Sequence, residues 1–248
     1  MTLRYPKARW DGLPGPGPFA VGPARGVLHT TECATYGGAR TAYLASRVSP
    51  HFTIGTEGCW QHVDVDRAAS ALVNIIGGVE TNRLSAIQIE VVGFADQPNW
   101  PDRLVAAVRD LMIWIEAETG VVPWAPPLWG GLDAYGLRTP YRMTDETWLK
   151  FNGWCGHQHV PENAHWDPGR IPIDRLLERT PMPGDDPNRP NVNAPCVGAM
   201  AAYDDHGNIK GYILVGADYG LFTFGEGVKV IGNVEYVKPD TQAWLPKA

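Results

Sequence analysis

A chain of 248 residues, 44% hydrophobic and 19% charged, has the composition of one large globular domain or of a domain with a small appendage. Its net charge of −6 argues against nucleic acid as the main partner, because phosphate binding relies on clusters of Lys and Arg. No apolar run reaches the roughly 18 residues that a membrane span needs, so no membrane insertion is expected. Met1 to Lys7 lacks the apolar stretch of a secretory signal, and the product is expected to stay in the cytoplasm unless another factor releases it. Cys33, Cys59, Cys155 and Cys196 are widely spaced with no Cys-x-x-Cys, and reduced thiols are expected there. Ten tryptophans and 22 prolines suit a groove that grips carbohydrate or peptide, and equally an aromatic core with long loops.

In chain order, residues 1–25 are rich in Pro and Gly (Leu13-Pro14-Gly15-Pro16-Gly17-Pro18) and read as an irregular surface leader. Gly26 to Thr31 is a short β segment carrying His29, and Ala39 to Val48 is a helix. His51 to Gly55 alternates like a strand, Thr56-Glu57-Gly58 turns, and Cys59 to Val63 returns. Ala86 to Val92 is apolar enough for a strand buried on both faces. From Arg103 to Glu118, Leu104, Val108, Leu111, Met112 and Ile115 follow the spacing of an amphipathic helix that Gly120 ends. A Pro/Trp loop runs from Val122 to Tyr141, and a last helix spans Ile173 to Arg179.

Strands separated by helices make this an α/β domain over residues 1–180. Residues 181–192, with Pro181, Pro183, Pro187 and Pro190, form a stiff polar linker. Residues 193–248 form a small β-rich module. Ala201 to Tyr203, Gly211 to Val215 and Leu221 to Phe224 are its strands, and 204–208 and 216–220 its turns.

The chemistry concentrates between Gly156 and Gly169, where His157, His159, His165, Glu162, Asp167 and Trp166 sit among glycines and prolines. A catalytic zinc takes three protein ligands of His, Cys or carboxylate type and keeps one position open. His29, His157 and Asp167 lie at the ends of apolar segments, where a shared cleft can form. Each has an ordinary reading too: a hydrogen-bonded strand histidine for His29 and His157, a turn start before Pro-Gly for Asp167. In an extended segment Cys155, His157 and His159 point to one side, so a Cys-x-His-x-His set is a second option. Spacing leaves both sets open. Glu90 stands inside a buried strand, where a charged residue has a paired or catalytic role.

Gly26-Val27-Leu28-His29-Thr30-Thr31, Ser49-Pro50-His51-Phe52, Ile87-Gln88-Ile89-Glu90 and Gly156-His157 with Asp167-Pro168-Gly169 together resemble the zinc-dependent N-acetylmuramoyl-L-alanine amidases. That family shares its fold with the peptidoglycan-recognition proteins, and the resemblance covers roughly residues 20–180. Gly78 to Arg83 and Trp154 to Asn163 are similar to lysins of phages infecting actinobacteria. The resemblance implies a mixed central β-sheet flanked by helices, one Zn2+ held by His29, His157 and Asp167, and Glu90 as the carboxylate facing the reacting water. His165 stands where many relatives carry a Lys that steadies the oxyanion; its imidazole can donate the same bond and titrates near neutral pH. Some relatives have a Tyr where this chain has Pro50, and the role of that hydroxyl is absent here. His51 and Thr30 are expected to contact substrate, His62 and His159 to be structural, and His206 to be solvated in a turn.

The implied partner is peptidoglycan, met by a monomer that cleaves the amide between N-acetylmuramic acid and L-alanine. Gly211 to Gly225 resembles one copy of a β repeat of actinobacterial wall and phage proteins, which implies wall binding; a flap packed on the catalytic domain is the alternative. The rival expectations for the whole chain are a non-catalytic peptidoglycan-binding module and a cytoplasmic muropeptide-recycling amidase.

Overall fold

The computed structural model describes residues 3–95, 97, 99–130 and 141–178 in full, and beyond them the backbone of four C-terminal strands. The chain divides into two compact units, Met1–Arg179 and Thr180–Ala248. The first is built on a mixed six-stranded sheet flanked by helices. In chain order its elements are β1 (Arg9–Trp10), β2 (Gly17–Pro18), β3 (Arg25–Thr30), α1 (Tyr36–Ser46), β4 (Phe52–Gly55), β5 (Gly58–Gln61), β6 (Arg67–Ala68) and β7 (Ala86–Val91). After them come α2 (Asp102–Thr119), α3 (Asp145–Lys150), β8 (Trp154–Gly156), a 3-10 turn (His157–His159) and α4 (Ile173–Leu177). The sheet order is β1-β5-β4-β7-β3-β8, and every neighbouring pair is parallel except β4 with β5.

Strand register sorts the side chains onto two faces, because directly paired residues project to the same side. Phe52, Ile89 and Leu28 lie in one row across β4, β7 and β3. With Ile54, Ile87 and Val91 they pack against Leu104, Val105, Val108, Leu111, Met112 and Ile115 of α2 to make the main core. The helix periodicity is therefore matched to that face, and Gly120 closes α2 in the left-handed conformation at φ 77°.

The other face carries a second core of Val27, Ala86, Cys155, Leu72, Val79, Trp148, Phe151 and Val160. Beside it runs a row that is largely polar: Arg9, Trp60, Thr53, Glu90 and His29, in register across β1, β5, β4, β7 and β3. Helix α1 lies over this row. Thr35 caps its first turn by accepting from Gly38 N, and the Tyr43 hydroxyl reaches Thr53 Oγ1 at 3.0 Å. Two glycines let neighbouring elements come close. A Cβ on Gly26 would overlap the Trp154 ring at 2.1 Å, and one on Gly156 would meet Pro168 at 2.6 Å.

Three differences from the sequence reading concern the N-terminal segment and two helices. The N-terminal segment is tied down: β1 adds to β5, β2 pairs with β6, and Tyr5 is buried in the main core. The Gln61 side chain makes this possible, accepting from Tyr5 N and donating to Leu3 O, so the leader's backbone polar groups find partners. Helix α3 is an addition, started by Thr144 accepting from Thr147 N and anchored by the buried Trp148. Helix α4 ends at Leu177. Among the described residues no helix is long and apolar enough to cross a membrane.

In the second unit four antiparallel strands, β9 (Cys196–Tyr203), β10 (Ile209–Gly216), β11 (Leu221–Phe222) and β12 (Lys229–Val230), take the order β11-β10-β9-β12. The linker 181–192, the turns around His206 and Ala217, and residues 131–140 of the Pro/Trp loop lie outside the described residues.

Candidate metal centre

Three parallel strands carry chemistry at their carboxyl ends. His29 is the fifth residue of the six in β3, Glu90 is its register partner on β7, and His157 follows directly after β8, the other neighbour of β3. Asp167 returns to them on the loop after the 3-10 turn, held by its own backbone carbonyl, which accepts from Gln158 N at 2.9 Å. Such carboxyl ends are where α/β sheets place ligands, because the connecting loops leave a crevice there.

His29 Nδ1 lies 3.1 Å from His157 Nδ1 and 3.4 Å from Asp167 Oδ2, and His157 Nδ1 lies 3.1 Å from Asp167 Oδ1. All three side chains are buried. Among the described residues this is the one group of three His, Cys, Asp or Glu placed to hold a metal ion. A tetrahedral zinc with bonds of about 2.0–2.1 Å separates its ligand atoms by roughly 3.3 Å, so the donor spacing fits that ion. Burial holds the His29 imidazole down at about 4, so it is neutral and has a lone pair to give. Burial by itself would raise the Asp167 carboxyl, but His157, His165 and His29 together hold it well below its usual range. Both donors are thus in the form a cation needs.

Glu90 Oε1 is 3.9 Å from His29 Nδ1, while Oε2 is buried with no hydrogen-bond partner. Burial, and then the charges of Asp167 and Glu32, push its carboxyl well above the ordinary value. His165 is exposed and stacks on the His157 ring, with centroids 4.3 Å apart and planes 9° apart. Its Nδ1 is 3.6 Å from Asp167 Oδ1, and contact with that carboxylate raises its proton affinity.

Other expected positions are placed differently. Cys155 is wholly buried beside Val27 in the second core, and the chain turns into the 3-10 segment at His157, so the alternation needed for a Cys-x-His-x-His set ends there. His159 accepts from Gly156 N through Nδ1 and donates to Leu128 O through Nε2, leaving neither nitrogen for a cation. His62 donates to Asp11 O and contacts Thr53 Oγ1, a structural use.

His51, expected to contact substrate, is fully buried, and both its ring nitrogens are bonded to backbone: Nδ1 accepts from Gln88 N at 3.0 Å and Nε2 donates to Arg67 O at 2.8 Å. Thr30 is buried on the pleat opposite His29, and its hydroxyl donates to Glu32 at 2.8 Å instead of facing the cluster.

The burial of His51 has a measurable consequence. Its folded-state value is lowered to about 4 from 6.5 by burial, so the unfolded chain binds more protons between those limits. The contribution is therefore complete above pH 6.5 and lost as pH falls toward 4, by about 3 kcal/mol at most. Urea unfolding of His51→Asn across that window should show lower stability at pH 7 and a shallower acid slope than native; parallel slopes would refute the assignment.

Sequence reasoning passed over Asn163 and Gln158, both wholly buried. Asn163 Oδ1 contacts His157 Nε2 at 2.9 Å, and Gln158 Nε2 donates to Gly169 O at 2.9 Å. The available signal was two amide side chains inside a segment with little regular structure.

A family model described as N-acetylmuramoyl-L-alanine amidase (Amidase_2) matches residues 22–170. No curated protein matches the sequence. Among solved structures, the chain is similar to the endolysin N-acetylmuramoyl-L-alanine amidase LysCS from Clostridium intestinale URNW: 12% identical over 70% of this chain and 94% of that one, TM-score 0.46. It is also similar to AmpD of Citrobacter freundii, 18% identical over 69% and 90% of the two chains, TM-score 0.41. PGRP-SA of Apis mellifera is 12% identical over 62% and 81%, TM-score 0.38. These likenesses are weak, and the assignment rests on the family match, which spans every residue of the cluster: the chain belongs to the N-acetylmuramoyl-L-alanine amidase family Amidase_2.

Proposed function

We propose that the protein is a zinc-dependent peptidoglycan hydrolase that cleaves the amide joining the lactyl group of N-acetylmuramic acid to L-alanine. The observation that carries this reading is the buried His29, His157 and Asp167 set, at zinc spacing, with a partnerless buried carboxylate oxygen of Glu90 beside it. Zinc bound there would supply a Lewis acid for the scissile carbonyl and a lowered pKa for a water. Glu90, kept proton-hungry by burial, takes the proton of the attacking water and returns it to the leaving amine. His165, exposed and stacked on His157, donates an N–H to the oxygen that becomes negative.

The biological setting we propose is that of a phage endolysin, held in the cytoplasm of the infected cell and acting on the wall after release. The second β-rich unit supports it as a wall-targeting module, as does the similarity of residues 78–83 and 154–163 to lysins of actinobacterial phages.

Digestion of purified sacculi with product masses tests both parts. Intact glycan strands and free stem peptides with new L-alanine amino termini are expected. Turnover of soluble anhydro-muropeptides alone would replace the endolysin by a recycling amidase, and binding without cleavage would replace catalysis by recognition.

A further inference from the structure

We propose that Asn163 is the positioning residue that selects the tautomer of His157, keeping the nitrogen that faces the cluster free of a proton. The inference rests on the zinc reading above and adds a residue that the ligand set does not include.

The amide of Asn163 has only one workable orientation. Its nitrogen donates to Val73 O at 3.1 Å and Pro161 O at 2.8 Å, both carbonyls, so that atom must be the NH2 group. Its oxygen accepts from Val73 N at 2.8 Å and therefore also accepts from His157 Nε2 at 2.9 Å. All four hydrogen-bonding positions of this wholly buried side chain are filled. A carbonyl oxygen offers no proton, so His157 Nε2 carries one, and a ring holding that single proton has its lone pair on Nδ1, 3.1 Å from His29 Nδ1.

The choice is not neutral without Asn163. Asp167 Oδ1 lies 3.1 Å from the same Nδ1 and would draw the ring's single proton to that side. A cation would then have to displace it. Asn163 is the competing acceptor on the far nitrogen, which is how outer partners of ligating histidines act.

The acceptor is also immobile. Three successive residues, Ala71, Leu72 and Val73, have backbone groups bonded to side-chain amides in place of a strand: Ala71 N to Gln88, Leu72 N and O to Asn82, Val73 N and O to Asn163. Gln88 Nε2 in turn donates to Asn82 Oδ1 at 2.9 Å. Gln88 belongs to β7, two residues before Glu90, so the same amide clamp joins the strand of the base to the loop of the ligand.

The test uses the full chain with 15N-labelled histidine, zinc-free at pH 8, and reads ring-nitrogen protonation by NMR, then zinc affinity by competition with a chromophoric chelator. Native protein should show a protonated His157 Nε2. Asn163→Leu should move the proton to Nδ1 and weaken zinc binding by about 10- to 100-fold. Asn163→Asp keeps an acceptor oxygen on Nε2 and should retain the native tautomer with a smaller loss. An unprotonated Nε2 in native protein would overturn the inference whatever the variants do, and so would zinc affinity within twofold of native in Asn163→Leu. Failure of native protein to bind one zinc would instead overturn the hydrolase reading, while the tautomer result would still decide the role of Asn163.

Discussion

Glu90→Gln is expected to reduce kcat for stem-peptide release from sacculi by about 100- to 10,000-fold, the span typical of removing a general base. The substitution keeps the shape of the side chain and removes its ability to take a proton. Zinc content and the amount of protein bound to sacculi should stay at native levels, because Glu90 Oε1 sits 3.9 Å from His29 Nδ1, outside the set of 3.1–3.4 Å contacts. Thermal stability should hold or rise. The native carboxylate is buried, faces the charge of Asp167 and leaves Oε2 without a hydrogen bond, so neutralising it removes a cost of folding. Native kcat in Glu90→Gln would take the base role away from this residue. A lower Tm together with lost zinc would make Glu90 a structural partner of His29 instead.

Metal removal should act on stability and turnover together. Dialysis against EDTA is expected to abolish release of stem peptides and to lower Tm, and stoichiometric zinc should restore both. A ligand bound only by the folded chain, at a free concentration about 1,000 times its Kd, stabilises by about 4 kcal/mol. His29→Ala should reproduce the EDTA result and resist rescue, since the remaining His157 and Asp167 cannot complete a three-ligand site. Elemental analysis that finds no zinc in fully active protein would exclude the zinc mechanism, whatever the geometry of the cluster.

Much of the architecture is legible from local pattern. Leu104, Val108, Leu111, Met112 and Ile115 repeat at helical spacing, and α2 buries that stripe against the main core. The apolar run at 86–91 becomes the strand β7, buried throughout, and the turn at 56–58 joins β4 to β5. The N-terminal leader was not legible in the same way. Tyr5 and Leu3 are tied down by the side chain of Gln61, 56 and 58 residues away, and Arg9 and Trp10 pair with the edge of β5 at Trp60 and Gln61.

Residue type and spacing name the candidates for the site without separating their uses; the roles of His29, His157, Asp167 and Glu90 came from the family resemblance. His51, His62, His159 and His157 are chemically the same side chain, and only long-range hydrogen bonds separate them. His51 gives both nitrogens to the backbone, His159 does the same, and His157 alone turns Nδ1 toward His29 and Asp167. Asn163 is the sharpest case, because its backbone partner Val73 lies 90 residues away.

Local pattern along the chain sets the types of the main elements and supplies the side chains able to ligate a cation or carry a proton. Hydrophobic period and turn chemistry act over a few neighbouring residues and can be read from the chain. Assembly of the sheet fixes which face each strand presents, how the ring nitrogens of the described histidines are used, and that Glu90 stands beside His29. Those outcomes depend on strand register and on hydrogen bonds between distant segments, which take effect only when the sheet has assembled.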